Sequence, residues 1–191
     1  VKYVDVNHDG VINASDKVDL GNGLPKYTFG FNFTLGYKGF DLSANFTGAA
    51  GFQIAQSYRD PSSSQANYSR RILNRWTGEG TSNEIPRVTY GDVGNWLFSD
   101  LYLQDGDYIR LQNLTLGYDF KKLIAWKGLS KMRLYFQVQN LFTLTKYDGM
   151  DPEIGSFNGT DGNSSDSWVS GVDMGYYPHP RTFIVGLNLA F

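Results

Sequence analysis

The sequence predicts an all-β fold, a transmembrane antiparallel β-barrel of which these 191 residues supply the C-terminal five strands of a larger barrel, with long extracellular loops. Three observations predict it. Five segments alternate apolar and polar side chains, aromatic residues make up 16% of the chain beside 22 glycines, and short links take turns with long ones. Aromatic rings mark the two interfaces of such barrels, and glycine lets neighbouring backbones bend and approach. No stretch reaches the roughly 20 apolar residues that a spanning helix requires, so any membrane crossing falls to strands.

Composition excludes several functions. A net charge of -2 offers no basic surface for nucleic acid, and no Lys/Arg-rich run is long enough to act as a membrane-surface patch. With no cysteine, disulfides, thiolate nucleophiles and Cys-ligated metals are impossible. The first residue is Val1 and no charged, then apolar leader follows it, so the chain reads as the tail of a longer exported precursor.

Residues 1–25 form the first extracellular loop. Within it, Asp5-Val6-Asn7-His8-Asp9-Gly10-Val11-Ile12-Asn13-Ala14-Ser15-Asp16 reads as a calcium loop of EF-hand or dockerin type. Asp5, Asn7 and Asp9 would offer side-chain oxygens, Gly10 the sharp turn, Val11 its carbonyl and Asp16 the closing carboxylate. Asn13 could act through water, and Ile12 would pack inward. Many flexible oxygen donors favour Ca²⁺ over Mg²⁺, in a structural role. The competing reading is an Asp/Asn/Gly turn held by its own hydrogen bonds.

Residues 26–50 predict a β-hairpin: Tyr27, Phe29, Phe31, Phe33, Leu35 and Tyr37 on one face, a reversal at Lys38-Gly39, then Phe40, Leu42, Ala44 and Phe46. Residues 51–106 are a long polar extracellular loop, in which Asn67 to Trp76 could form a short helix with Tyr68, Ile72 and Trp76 on one side. Residues 107–142 hold two strands and a periplasmic link. The first sets Leu114, Leu116, Tyr118 and Phe120 against Asn113, Thr115, Gly117 and Asp119, but Ile109 and Leu111 fall out of phase, which predicts a bulge or an apolar lumen contact. The second sets Met132, Leu134, Phe136 and Val138 against Arg133, Tyr135, Gln137 and Gln139. In the link, Trp126 between Lys122 and Lys127 fits an interfacial aromatic. Residues 143–180 form a further extracellular loop.

Residues 181–191 predict the terminal strand, with Phe183, Val185, Leu187, Leu189 and Phe191 on one face. Its length suits a barrel crossing. An aromatic residue ending such a strand resembles the assembly signal of bacterial outer-membrane barrels, which assigns that role to Phe191, Leu189 and Leu187. An edge strand of a soluble sandwich would show the same alternation, but a compact soluble domain seldom carries two links as long as these. Short turns on one end and long loops on the other put the C-terminus in the periplasm. Five strands cannot close a barrel, so the rest comes from the same parent chain or from separate chains.

No catalytic group emerges. His8 and His179 have no nucleophile beside them in sequence, and Asp100, Asp105, Asp107 and Glu153 read as ordinary loop carboxylates, so no enzyme is expected. Of the Asn-x-Ser/Thr sites at Asn32, Asn45, Asn67, Asn113, Asn158 and Asn163, three lie on lumen-facing strand positions, where composition explains them better than glycosylation.

The order and spacing of further motifs resemble the SusC/RagA family of TonB-dependent outer-membrane transporters of Bacteroidetes. They include Asp5-x-Asn7-x-Asp9-Gly10-x-Ile12, Pro25-Lys26-Tyr27-x-Phe29-Gly30-Phe31, Tyr37-Lys38-Gly39-Phe40 and Asn74-Arg75-Trp76-Thr77. Asp107-Tyr108-Ile109-Arg110-Leu111-x-Asn113-Leu114, Gln139-Asn140-Leu141-Phe142, Asp151-Pro152-Glu153 and Tyr177-Pro178-x-Pro180-Arg181 follow. The resemblance implies a parent importer of glycans or peptides with a plug, a TonB-contacting N-terminal part and a SusD-like surface lipoprotein partner, set in outer-membrane lipid. It assigns no substrate-contacting residue. Two other functions stay open: a structural or adhesive barrel component of a larger surface complex, and a secreted β-rich carbohydrate-binding module with a calcium loop.

Overall fold

The computed structural model describes residues 2–57, 70–88, 98–124, 126–154 and 171–191. Asn67, Tyr68, Asn158 and Asn163 lie outside the described residues. Five long strands form one antiparallel sheet in the order β1 (Tyr27–Tyr37), β2 (Phe40–Ala50), β5 (Tyr108–Asp119), β6 (Lys131–Thr145) and β8 (Thr182–Ala190). A smaller sheet of loop strands has β3 (Gln53–Gln56) between β4 (Leu103–Asp105) and β7 (Val172–Asp173). β6 runs to Thr145, so the strand continues into the residues assigned by sequence to the following loop. The expected helix is a five-residue 3-10 turn over Arg70–Asn74. Among the described residues no helix is long and apolar enough to cross a membrane.

The Lys38-Gly39 reversal is a two-residue turn with positive φ at both positions, 48° and 96°, the mirror-image turn whose twist matches the flanking strands. It fixes the β1–β2 register from Tyr37 opposite Phe40 to Tyr27 opposite Ala50. Because side chains alternate, that register decides both faces. On one face lie Phe29, Phe31, Phe33 and Leu35, then Leu42, Leu116, Leu134 and Phe136, and finally Phe183, Val185, Leu187 and Leu189. This face has nothing packed on it: Phe31 is 59% exposed, Phe136 44% and Val185 73%. Its breadth across five strands is a lipid-facing band, since water would not tolerate an apolar surface of this extent.

The opposite face is polar and lines the barrel interior. One row crosses all five strands as Asn32, Asn45, Asn113, Gln139 and Thr182, and the next as Thr34, Ser43, Thr115, Gln137 and Ile184. Nearer the short turns, the Asp41 carboxylate spans β5 to meet Arg133, with Nε and Nη2 at 2.8 and 2.5 Å from its two oxygens. Gly117 lies beneath this pair, and a Cβ there would stand 2.5 Å from Asp41 Oδ1. The Arg133 guanidinium stacks on the Tyr135 ring, 4.9 Å from its centre.

The irregularity expected around Ile109 is a bulge. Leu111 pairs with Phe46 and Asn113 with the adjacent Asn45, leaving Gln112 as an extra residue against β2, while on the other side Phe142 and Gln139 pair with the same two residues and the surplus residue lies on β6, beside Asn140 at φ 51°. The Gln112 insertion shifts the phase of β5, so Ile109 and Leu111 join the lipid-facing set and Arg110 turns inward beside Thr47 and Thr143.

Candidate functional site

At the end away from the short turns, the loops fold against the inner wall of the sheet. Gly51, at φ 78°, takes the chain out of β2, and its N–H donates to Asp107 Oδ1 at 2.6 Å. Phe52 and Ile54 then pack with Ala49 and Tyr147, against Tyr108 and Ile154. Ala49 and Tyr108 are interior positions of β2 and β5. The main buried cluster therefore lies between barrel wall and loops, not within the five-stranded sheet.

Arg110 is the anchor of this junction. It is 3% exposed and donates from Nε to Thr143 Oγ1 (2.9 Å), from Nη1 to Glu153 Oε2 (2.7 Å) and from Nη2 to the buried Asp151. Asp151 also accepts from the Glu153 and His179 backbone N–H groups, at 2.9 and 3.1 Å. One guanidinium thus ties the segment through Asp151-Pro152-Glu153 and the segment around His179 to a single wall position. A cavity of about 260 Å³ opens beside it, lined by Arg110, Asn140, Phe142, Asp151, His179 and Arg181 among others.

Two more carboxylates brace the loops, Asp148 by joining the two long ones and Asp173 within the second. Asp148 accepts from Gln56 Nε2 at 2.6 Å and Gln104 Nε2 at 2.5 Å, and Arg71 lies 3.4 Å away. Asp173, 1% exposed, accepts from the Tyr147 hydroxyl and from the Gly175 and Tyr176 N–H groups at 2.8 and 3.2 Å. Burial raises the Tyr176 phenol above its ordinary pKa, and Asp173 adds to the effect. The parallel pairing of β3 with β7 joins the two long loops through their backbones.

The N-terminal loop curls as its spacing predicts. Gly10 N–H donates to Asp5 Oδ2 (2.7 Å), Asp9 N–H to Asn7 Oδ1 (3.0 Å) and Val11 N–H to Asp9 Oδ1 (2.8 Å). Asp16 accepts from the Val6 and Asn13 N–H groups at 2.9 and 2.7 Å and closes a capping box with Asn13 around a 3-10 turn. These bonds, led by that from Asn13, hold the Asp16 carboxyl below its ordinary pKa of 3.8. The Val11 carbonyl accepts from Asn13 Nδ2. Ile12 differs from the expectation: it is 52% exposed, at the edge of an open hollow that it shares with Phe98 and Leu103. Among the described residues no three His, Asp or Glu side chains gather around one point. Asp5 and Asp16 do adjoin, and Asp5 Oδ1 is shielded from solvent without a hydrogen-bond partner.

Leu187 and Leu189 lie on the lipid-facing side of β8, and Phe191 meets Trp126 edge-on at 6.3 Å. The loop carboxylates set aside by sequence serve as structure: Asp107 and Asp105 accept backbone N–H groups and Glu153 holds Arg110. Sequence reading missed the Arg110 cluster. Its available signal was an arginine inside a membrane strand, a position that demands a buried partner.

No protein-family model matches the chain. Over 191 residues, 99% of its length, it is 36% identical to TonB-dependent receptor P3 of Formosa agariphila, and over 193 residues 30% identical to the TonB-dependent receptor SusC of Bacteroides thetaiotaomicron. Over its whole length the chain matches a stretch of TonB-dependent receptors of the SusC type. It spans 19% and 17% of those two relatives, about a fifth of the length of the curated relatives it matches. The fold agrees: a solved RagAB peptide transporter superposes with a TM-score of 0.71 at 24% identity, over 95% of this chain and 19% of that one. The sheet is accordingly an arc of SusC-like barrel wall, and its setting is the outer membrane.

Proposed function

We propose that this chain is the C-terminal part of the barrel wall and extracellular mouth of a TonB-dependent importer of glycans or peptides, working with a SusD-like surface lipoprotein. The carrying observation is that Arg110 holds the second long loop on the inner wall and Asp148 joins the first long loop to it, because loops held there narrow and shape the entrance to the channel. In this reading the Lys38-Gly39 turn and the C-terminus face the periplasm, while a plug and a TonB-contacting segment of the parent protein, with its remaining strands, complete the transporter. Leu187, Leu189 and Phe191 serve as its assembly signal. The wall carries no catalytic task.

The test is growth of a strain lacking the full-length protein on a panel of oligosaccharides and oligopeptides, each as sole carbon source. Loss of growth on at least one, restored by the intact gene and not by one lacking the plug, supports import. Unchanged growth on all of them, with the protein still in the outer membrane, would favour a structural or adhesive barrel.

In the same reading Ca²⁺ is held in the N-terminal loop by Asp5, Asn7, Asp9, the Val11 carbonyl and Asp16. The unpartnered Asp5 Oδ1 beside the Asp16 carboxyl supports it, since a cation would meet the unmet acceptor. Slower proteolysis of residues 2–24 of the full-length protein in calcium than in chelator is expected, and equal cleavage would remove the metal.

A further inference from the structure

We propose that the short-turn rim of this sheet binds the anionic headgroups of the leaflet it adjoins, through lysines mounted beside an aromatic belt. The inference rests on the barrel reading and adds a lipid class to it. Lys121, Lys127 and Lys131 lie within one short stretch of sequence, and the fold brings Lys38 to them. The Asp119 N–H donates to the Gly39 carbonyl at 2.8 Å, which sets the Lys38 turn against the link that carries Lys121, Lys127 and Lys131. All acidic residues except Asp41 and Asp119 lie elsewhere in sequence, in the N-terminal loop and the two long links. Asp41 is taken up by Arg133, and Asp119 Oδ1 accepts the Lys121 N–H. Among the described residues, none of these four lysines pairs with an acidic side chain. The rim therefore carries a net positive charge, the four lysines outweighing the Asp119 carboxylate, on a chain whose net charge is -2.

Its aromatic neighbours name the partner. Phe40 and Tyr118 lie 4.4 Å apart, Tyr118 and Phe120 4.9 Å, and Trp126 leans on Phe191. Tyr37, Phe40 and Tyr118 occupy lipid-facing strand positions, and Tyr37 and Trp126 are 66% and 61% exposed. Lys38 Nζ sits 5.2 Å from the centre of the Tyr37 ring, and Lys121 Nζ donates to the Trp126 carbonyl at 2.8 Å, so cations border the belt directly. Rings in the lipid zone with ammonium groups at their outer edge match the boundary between acyl chains and headgroup phosphates. A soluble anion would need only the lysines, and it would leave the exposed rings without a role.

The test places the full-length protein in bilayers of phosphatidylcholine with a minor fraction of phosphatidylglycerol and measures association of spin-labelled versions of each lipid with the protein. The wild type should select phosphatidylglycerol, with the selection fading in about 0.5 M salt. Lys38→Gln, Lys121→Gln and Lys127→Gln should each lower it by up to about fivefold, whereas arginine at the same positions should preserve it. Equal association of the two lipids with wild type, or unchanged selection in the triple glutamine variant, overturns the proposal. So does full competition by free glycerol phosphate, which would mark a soluble-phosphate site. If the glutamine variant fails to fold, the wild-type salt dependence and the arginine variant still decide. A protein that does not enter the bilayer refutes the barrel; one that enters without lipid selection refutes this inference alone.

Discussion

Replacing Arg110 with methionine should release the loops while leaving the barrel wall standing. Methionine keeps most of the aliphatic volume but removes three charge-assisted hydrogen bonds, to Asp151, Glu153 and Thr143. Glu153 is almost half exposed and regains water, so its loss is small. Asp151 is different: its side chain is 7% exposed and would stay buried with only two backbone N–H donors. Breaking a buried pair by removing one partner costs about 3–5 kcal/mol, and the two remaining donors argue for the lower end, about 3 kcal/mol. The wall strands keep their ladders, so the cost falls on the docked segments around residues 146–154 and 178–180. Hydrogen exchange of the full-length protein in detergent reads this directly. Amides of those segments whose exchange requires undocking should speed up by on the order of 100-fold, while β5 and β6 near Thr115 and Gln137 hold their protection. The double variant Arg110→Met with Asp151→Leu should recover much of the loss, because no buried charge is then left unpaired. Unchanged exchange in the single variant, or uniform loosening of the whole sheet, would refute the idea that Arg110 pins loops to wall.

Four further outcomes follow from the geometry. Gly117→Val puts a side chain where Asp41 and Arg133 now meet and should destabilise the folded barrel by about 1–3 kcal/mol, seen as a lower temperature for the heat-dependent gel shift. Deleting Gln112 removes the extra residue but keeps Leu111 opposite Phe46 and Arg110 facing inward, so folded protein should still be recovered in outer-membrane fractions, and its loss there would refute Gln112 as the source of the phase break. Phe191→Ala should lower the amount of assembled protein in cells while the thermal stability of what does assemble falls by no more than about 1 kcal/mol, the scale of its ring contact with Trp126. The N-terminal loop should loosen in acid: the folded Asp16 carboxyl has a depressed pKa, so its contribution is complete above 3.8 and drains away as pH falls below that toward the folded value. Proteolysis of residues 2–24 by an acid-active protease should therefore accelerate in that window, and Asp16→Asn should flatten the profile.

What could be read from the sequence is what strand geometry repeats. Lys38-Gly39 announces its turn because two consecutive positive φ values favour a glycine, and the register of β1 on β2 then follows without freedom. The phase break at Ile109 could be detected, but choosing bulge over apolar lumen contact required the pairing of Leu111 with both Phe46 and Phe142. The loop anchors were illegible for a different reason. Arg110 meets Asp151 across 41 residues, Gln56 meets Asp148 across 92, and Asp41 meets Arg133 across 92, and no local propensity or period encodes such separations. The N-terminal loop shows the limit from the other side. Asp5, Asp9 and Asp16, read from their spacing as calcium ligands, accept backbone N–H groups that an Asx-rich turn would also supply without metal, so spacing alone could not separate the two. This division has a functional consequence. Lipid-facing strands answer to a solvent of fixed thickness and polarity, which any barrel of the family must satisfy. Under the proposed function the loops answer to a particular solute, while the described loop residues must still reach the wall where Arg110 holds them. Variation should therefore be cheapest beyond the anchors and most costly at Arg110, Asp151 and Asp173, whose burial leaves an unpaired charge wherever one partner changes.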